Sequence, residues 1–228
     1  MTASTAMQDY LAEAYRIAYY QGDTNPYIST SSLATVLNVS APAVTRMVQR
    51  LKEADFLEHE PYRGIKLTEK GEQEALKTIR SHRLVECFLV NVMGFGWHEV
   101  HDAADELGAV VSDILVDRMD EMADYPHRCP HGEPIPSANG FMPRVIDYPL
   151  SDVAEGQEYM ISRVNTHDAE KLRYFDTLGI KPGSKFTFEA RAPFNGPLQI
   201  QVSTGVVHLG HELAGVLRVC SEEEFEVV

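Results

Sequence analysis

The sequence predicts an α+β chain with an N-terminal winged helix-turn-helix, a central helical dimerisation domain and a C-terminal small β-barrel. Three observations predict it. Three short helical patterns and a hairpin fill residues 1–72. Two long amphipathic patterns follow over 73–124, and short β-type runs occupy 151–228 after a proline-rich stretch at 125–150.

From Asp9 to about Gln21, Tyr10, Leu11, Ala14, Tyr15, Ile17 and Ala18 recur at helical spacing. GDTNPY then breaks the chain, since Gly, Asn and Pro favour turns. Ser29 to Leu37 reads as a second helix with Leu33, Ala34 and Leu37 inward, capped by Ser29 or Thr30. After the turn Asn38-Val39-Ser40, a third helix starts with Pro42 in its first turn and runs to about Ala54. Its inward residues are Val44, Met47, Val48 and Leu51; Ala43, Thr45, Arg46 and Arg50 face outward. FLEHE, PYRG and IKLT read as strand, turn, strand. In this order the third helix is the one that enters a DNA major groove, and the hairpin is the wing. Ala43, Thr45 and Arg46 are candidates for base edges, Arg50 and Arg63 for phosphate.

Thr68 or Glu69 opens a helix running to about Met93, ended by Gly94-Phe95-Gly96. Trp97 to about Ala123 reads as another long helix, striped by Val100, Ala104, Leu107, Val111, Ile114, Leu115 and Met119. The surplus apolar surface suits dimerisation, though packing within one chain gives the same periodicity. Pro126, Pro130, Pro134, Pro136 and Pro143 make the next stretch a linker. Strands are expected at 158–164, 184–190, 197–202, 206–209 and 215–220, with a short helix from Asp168 to about Thr177 closed by Gly179. The acidic tail SEEEFEVV reads as a solvated end.

Within the two long helices, His82-x3-Glu86 and His101-x3-Asp105 each put two metal-type donors on one helix face. Four such side chains converging between helices could hold one divalent cation. No nucleophile elbow, phosphate loop or separate acid–base pair accompanies them, so the reading is not an enzyme. Cys129-x-His131 and His208-x2-His211 read as structural, and His98 as exposed.

The net charge of −14 opposes non-specific nucleic-acid binding. Its distribution softens that: residues 1–72 carry 7 basic and 9 acidic side chains, and residues 40–52 hold Arg46, Arg50 and Lys52 with no acid. Three scattered cysteines imply no disulfide framework, and neither a signal peptide nor a membrane span is visible. The expected setting is the cytoplasm, without a membrane partner.

These motifs resemble the diphtheria toxin repressor and manganese transport regulator family. The resemblance rests on MQDYLAEAY, SAPAVTRMVQRLKEADFL with YRGIKLTEKG, HRLVECFLVNVMGFGWHEVHDAADEL and CPHGEPIP, and covers nearly the whole chain. GQEYMISRVNTHDAEKLRYFDTLGIKPGS is similar to the SH3-like (FeoA-type) domain of the longer members. The resemblance implies a metal-activated homodimer binding a double-stranded DNA operator, with two metal sites per chain. His82, Glu86, His101, His167 and Glu170 fall on the ancillary site. Asp9 and Asp105 fall on the primary site, whose next two ligand positions hold Gly108 and Ala109, with Asp102 and Glu106 as nearby carboxylates. Carboxylate in place of sulfur favours Mn(II), then Fe(II), over softer divalent transition metals. The alternative is a DNA-binding regulator that has lost metal control through a degenerate primary site.

Overall fold

The structure is a computed structural model describing every residue except 1–2, 23–24, 109 and 227–228. Two compact units divide it, one formed by Met1–Ser81 with Pro136–Met142, the other by His82–Ile135 with Pro143–Val228. The first contains α1 (Thr5–Gln21), α2 (Thr30–Val36), α3 (Ala41–Glu53) and a hairpin of β1 (Leu57–Glu60) and β2 (Gly64–Leu67). Each helix buries the apolar face its spacing predicts: Tyr10, Leu11 and Ala14 from α1, Leu33 from α2, and Val44, Val48 and Leu51 from α3. Ser29 caps α2, its Oγ accepting from Ser32 N–H at 2.9 Å. Within the expected GDTNPY break, residues 23–24 lie outside the described residues.

The wing is tied to the helices by backbone. Ile28 and Ile65 exchange two N–H···O bonds of 2.8 and 2.9 Å. That close approach needs Gly64, because a Cβ there would lie 2.3 Å from Ile28 O, and its φ of +116° is one L side chains avoid.

α4 (Glu69–Asn91) starts in the first unit and continues into the second. The helix expected from Trp97 to Ala123 is two: α5 (Val100–Gly108) and α6 (Asp113–Met122). α5 ends at Gly108, and α6 starts from an extended Ser112 at its N-cap. Two helices, rather than one, decide which stripe residues are covered. Val100, Ala104 and Val116 are buried, whereas Leu107, Ile114 and Leu115 are exposed.

Beyond residue 147 come β3 (Tyr148–Pro149), β4 (Gln157–Val164), α7 (Ala169–Leu178), β5 (Lys185–Arg191), β6 (Leu198–Val202), β7 (Gly205–Leu209), α8 (His211–Ala214), β8 (Leu217–Cys220) and α9 (Glu222–Glu226). The strands form an antiparallel sheet of order β3-β8-β4-β5-β6-β7, the small strand-rich domain expected. Its core gathers Leu150, Ile161, Leu172, Phe175, Phe186, Phe188 and Ile200, with Trp97 packed into it. The acidic tail is not simply solvated: Phe225 of α9 lies under the Arg128 guanidinium at 4.5 Å.

The proline-rich stretch is held by a buried ion network. Asp147 accepts from Arg163 Nε at 2.6 Å and Arg218 Nε at 2.9 Å, and Glu133 meets both Arg163 and Arg83 at 3.2 Å. Burial alone would raise the Asp147 pKa, but Arg163 and Arg218 hold it low. Cys129, His131 and Ile135 are buried in consequence.

Candidate metal centre

One turn of α4 separates His82 from Glu86, and His82 Nε2 lies 3.2 Å from Glu86 Oε1. α5 carries His101, whose Nδ1 lies 3.4 Å from the same oxygen. Asp105, one turn further, reaches back to His82: its Oδ1 is 2.9 Å from His82 Nδ1, and Oδ2 is 3.8 Å from His101 Nε2. The two i, i+4 pairs therefore meet. Glu86 is at the bottom of the cluster with its side chain 2% exposed, and Asp105 at the rim with 62%.

Two further imidazoles close the opposite side. The His167 ring, just ahead of α7, stacks on His101 with centroids 3.6 Å apart. His131 Nδ1 stands 3.4 Å from Glu86 Oε1, and its ring meets His167 edge-on at 5.5 Å. The donor atoms of His82, Glu86 and His101 all lie within 4.8 Å of one another, as do those of Glu86, His131 and His167. His131 is fixed from three directions. Its Nε2 is 3.0 Å from Trp97 O, and its carbonyl accepts from Val164 N–H at 3.0 Å. The following Gly132, at φ +88°, sits so close to β4 that a Cβ would fall 2.1 Å from Ser162 O.

Charges follow from this crowding. Burial would raise the Glu86 pKa, but the imidazoles of His101, His131 and His82 hold it well below the usual carboxylate range. Burial works against a charged His82, yet hydrogen bonds to Asp105 and Glu86 prevail and raise its pKa to about 9. His167 counts among exposed residues, but its ring is desolvated by its neighbours. That desolvation, with His101 and His131 nearby, pushes its pKa down to about 3. Burial also keeps the Cys87 and Cys129 thiols protonated.

The donor chemistry fits a divalent transition metal. Several ring nitrogens crowd one carboxylate oxygen, and lone pairs facing lone pairs need a proton or a cation between them. His82, Glu86, His101, His131 and His167 are the residues that would hold it. With His82 Nδ1–H directed at Asp105, that carboxylate would orient the ring as an outer partner.

Other candidate residues lie elsewhere. Glu170 is exposed in the first turn of α7, its N–H donating to the capping Asp168. Asp102 and Glu106 are exposed on α5, and Asp9 is on α1 in the first unit. Gly108 offers no donor, and Ala109 lies outside the described residues. His208 and His211 are exposed and belong to neither donor group, whereas His98, expected exposed, has a side chain only 15% exposed. On α3, Thr45, Arg46 and Arg50 are exposed and Ala43 half-buried; Thr45 Oγ1 donates to Ala41 O. Arg63, at the wing, stacks over Tyr27 at 4.0 Å and pairs with Glu60 at 2.8 Å.

His131 had no sequence signal of the kind that found the others. It lies in an irregular loop, where no helical period sets its direction. The Cys129-x-His131 spacing drew attention to it but read as structural; the structure instead brings His131 into the donor group around Glu86.

Family models match the chain in three consecutive pieces: the iron-dependent repressor N-terminal DNA-binding domain over 2–65, the iron-dependent repressor metal-binding and dimerisation domain over 68–137, and the FeoA domain over 148–220. A solved manganese-dependent transcriptional repressor in complex with manganese is similar at 35% identity and TM-score 0.84, over 94% of this chain and 99% of that one. The chain belongs to the iron-dependent repressor family. An uncharacterised HTH-type transcriptional regulator of Methanocaldococcus jannaschii is 35% identical over 51% of this chain and 90% of its own. The iron-dependent repressor IdeR of Mycobacterium leprae is 29% identical over 82% and 86%. In this iron-dependent repressor chain, the metal-binding and dimerisation match ends at residue 137 and so includes His131 along with His82, Glu86 and His101.

Proposed function

We propose that this chain is a metal-dependent, DNA-binding transcriptional repressor that acts in metal homeostasis as a cytoplasmic homodimer on double-stranded operator DNA. The observation that carries the reading is the convergence of His82, His101 and His131 on Glu86 Oε1, in a chain whose α3 exposes Arg46 and Arg50. Among the described residues, no helix is long and apolar enough to cross a membrane.

When bound, the metal supplies a double positive charge and directed bonds that hold the converging donors together. The residues do the rest. His82 and Glu86 come from α4, His101 from α5, His131 from the proline-rich segment and His167 from the turn before α7. Gathering them fixes the helices against the strand-rich domain within the second unit. His82 gives up its Nε2 proton, while Asp105 keeps Nδ1–H in place. Such a tie selects among conformations: an arrangement that binds metal better is enriched by it, and repression follows if that arrangement also binds operator. The metal is Mn(II) or Fe(II), Mn(II) ranking first; the imidazoles of this centre also accept Co(II) and Zn(II). Carboxylates such as Asp9 and Asp105 favour Mn(II). For the dimer, Leu107, Val110, Ile114, Leu115 and Met122 supply exposed apolar surface on and between α5 and α6.

Duplexes selected from a random pool by Fe(II)- or Mn(II)-loaded protein, then footprinted with and without a chelator, test the reading. Protection that disappears with chelator supports it; protection unchanged by chelator favours the metal-independent regulator, for which Gly108 is the motivating observation.

A further inference from the structure

Arg128 opens the turn that carries His131, and its guanidinium serves two partners. Nη1 donates to Gly132 O at 2.9 Å and closes the turn; Nη2 donates to Phe225 O at 3.4 Å. The same guanidinium lies over the Phe225 ring, 4.5 Å from its centroid. Its Nε is buried without a hydrogen-bond partner among the described residues. A guanidinium desolvated in this way gains from an aromatic face, because a cation–π contact strengthens as water is removed.

α9 places that ring. Ser221 and Glu224 form a capping box: Ser221 Oγ accepts from Glu224 N–H at 3.2 Å, and Glu224 Oε2 accepts from Ser221 N–H at 2.8 Å. Glu222 pairs with Lys185 of β5 at 2.6 Å. The ring rests against Gly183, where an added Cβ would lie 3.6 Å from Phe225 Cζ. Five helical residues are too few to hold together alone, so these contacts keep α9 in place. The stretch SEEEFE has one aromatic among its acids, and that residue is the one that meets Arg128.

We propose that Phe225 is a positioning residue of the metal centre, latching the 128–132 turn through Arg128. The proposal rests on the metal-sensor reading above. Within the turn, Gly132 N–H donates to Cys129 O at 2.8 Å, and His131 Nδ1 stands 3.4 Å from Glu86 Oε1. With the latch closed, Arg128 holds the two ends of the turn together and keeps the imidazole near Glu86 before metal arrives. With the latch open the turn gains freedom, and binding must first order it. Phe225 supplies no donor, so the ligand set is the same in both states and only the affinity differs. Linkage makes the effect reciprocal: metal that binds better to the latched turn also favours the latch.

The test compares Co(II) binding by the full chain in wild type, Phe225→Leu and Phe225→Tyr. Leucine keeps an apolar side chain against Gly183 and removes the aromatic face, whereas tyrosine keeps both. Phe225→Leu should lower Co(II) affinity about 3–30-fold, the range of a partly desolvated cation–π contact, with the ligand-field spectrum of the saturated protein unchanged. Phe225→Tyr should bind within about twofold of wild type. A purely structural role would lower the unfolding midpoint of Phe225→Leu and leave its Co(II) affinity unchanged, which would overturn the proposal. Amide hydrogen exchange of wild type with and without Zn(II) is a second measurement that needs no variant. Zn(II) should protect the Phe225 amide, which donates to Ser221 O at 3.1 Å, together with the Cys129 and Gly132 amides of the turn. Protection of the turn with Phe225 unchanged would overturn the proposal and leave the sensor reading standing. If wild type binds neither Co(II) nor Zn(II), both fail. Circular dichroism identifies a variant that does not fold, and the exchange measurement then decides.

Discussion

Replacing Glu86 with Gln keeps the shape of the side chain and removes the charge on which the cluster converges. At 3.2 Å, a carboxylate and an imidazolium attract by about 5 kcal/mol with an effective dielectric constant near 20. The net effect at His82 is smaller because burial opposes its charge. A rise from 6.5 to about 9 corresponds to about 3.4 kcal/mol, shared between Glu86 and Asp105. Asp105, at 2.9 Å from a mostly solvated position, and Glu86, at 3.2 Å from a buried one, each hold part of it. In Glu86→Gln, the His82 pKa should therefore fall from about 9 toward its ordinary value, with Asp105 alone left to raise it. The direction of the pH effect on the metal-free protein follows. A raised pKa contributes stability that is fully present below 6.5 and is lost as pH rises through about 9; in the variant the part owed to Glu86, about 1 kcal/mol, is missing at pH 7. Metal affinity should drop more than about 100-fold, since removing even an outer partner costs about 10–100-fold. NMR titration of the His82 ring and competition against a chromophoric chelator measure the two effects. A variant that binds metal within threefold of wild type, with His82 still titrating near 9, would refute the reasoning.

Asp105→Asn should weaken metal binding by about 10–100-fold while leaving the number of sites unchanged, as for an outer partner of His82; loss of a whole site by calorimetry would make Asp105 a ligand of a separate centre. Gly132→Ala forces a Cβ toward Ser162 O and a side chain into left-handed backbone, and should cost about 1–3 kcal/mol in chemical denaturation; an unchanged midpoint would show that this seat is loose. Ile114→Glu puts a charge on the 81%-exposed apolar position of α6 and should shift the protein toward monomer in light scattering, whereas an intact dimer would place the interface elsewhere. Arg63→Ala should weaken binding to all duplexes and lower the salt slope by about 1, whereas Arg46→Ala should relax preference at particular base pairs; equal losses for Arg46→Ala on every operator variant would remove it from base readout.

What could be read from the sequence was what repeats or caps. The apolar periods of α1, α3 and α4 and the Asp168 and Gly179 ends of α7 identified those elements because local spacing fixes them. The stripe from Trp97 to Ala123 misled because α5 and α6 each keep a helical period, and the interruption between them has no proline to mark it. The His82/Glu86 and His101/Asp105 pairs were visible for the same local reason. Their meeting at one oxygen depends on how α4 packs on α5, which spacing does not specify. The place of His131 depends on tertiary contacts, with Trp97 O, Val164 N–H and the seat of Gly132 on Ser162 holding it, and no local pattern reports them.

The most direct measurement of the central claim is fluorescence anisotropy of a selected operator duplex titrated with this protein, with Fe(II) or Mn(II) and then with excess chelator, alongside His82→Ala. The account predicts metal-loaded wild type binding at least tenfold tighter than the chelated protein, with that difference absent in His82→Ala. Equal operator affinity of wild type with metal and with chelator would contradict it.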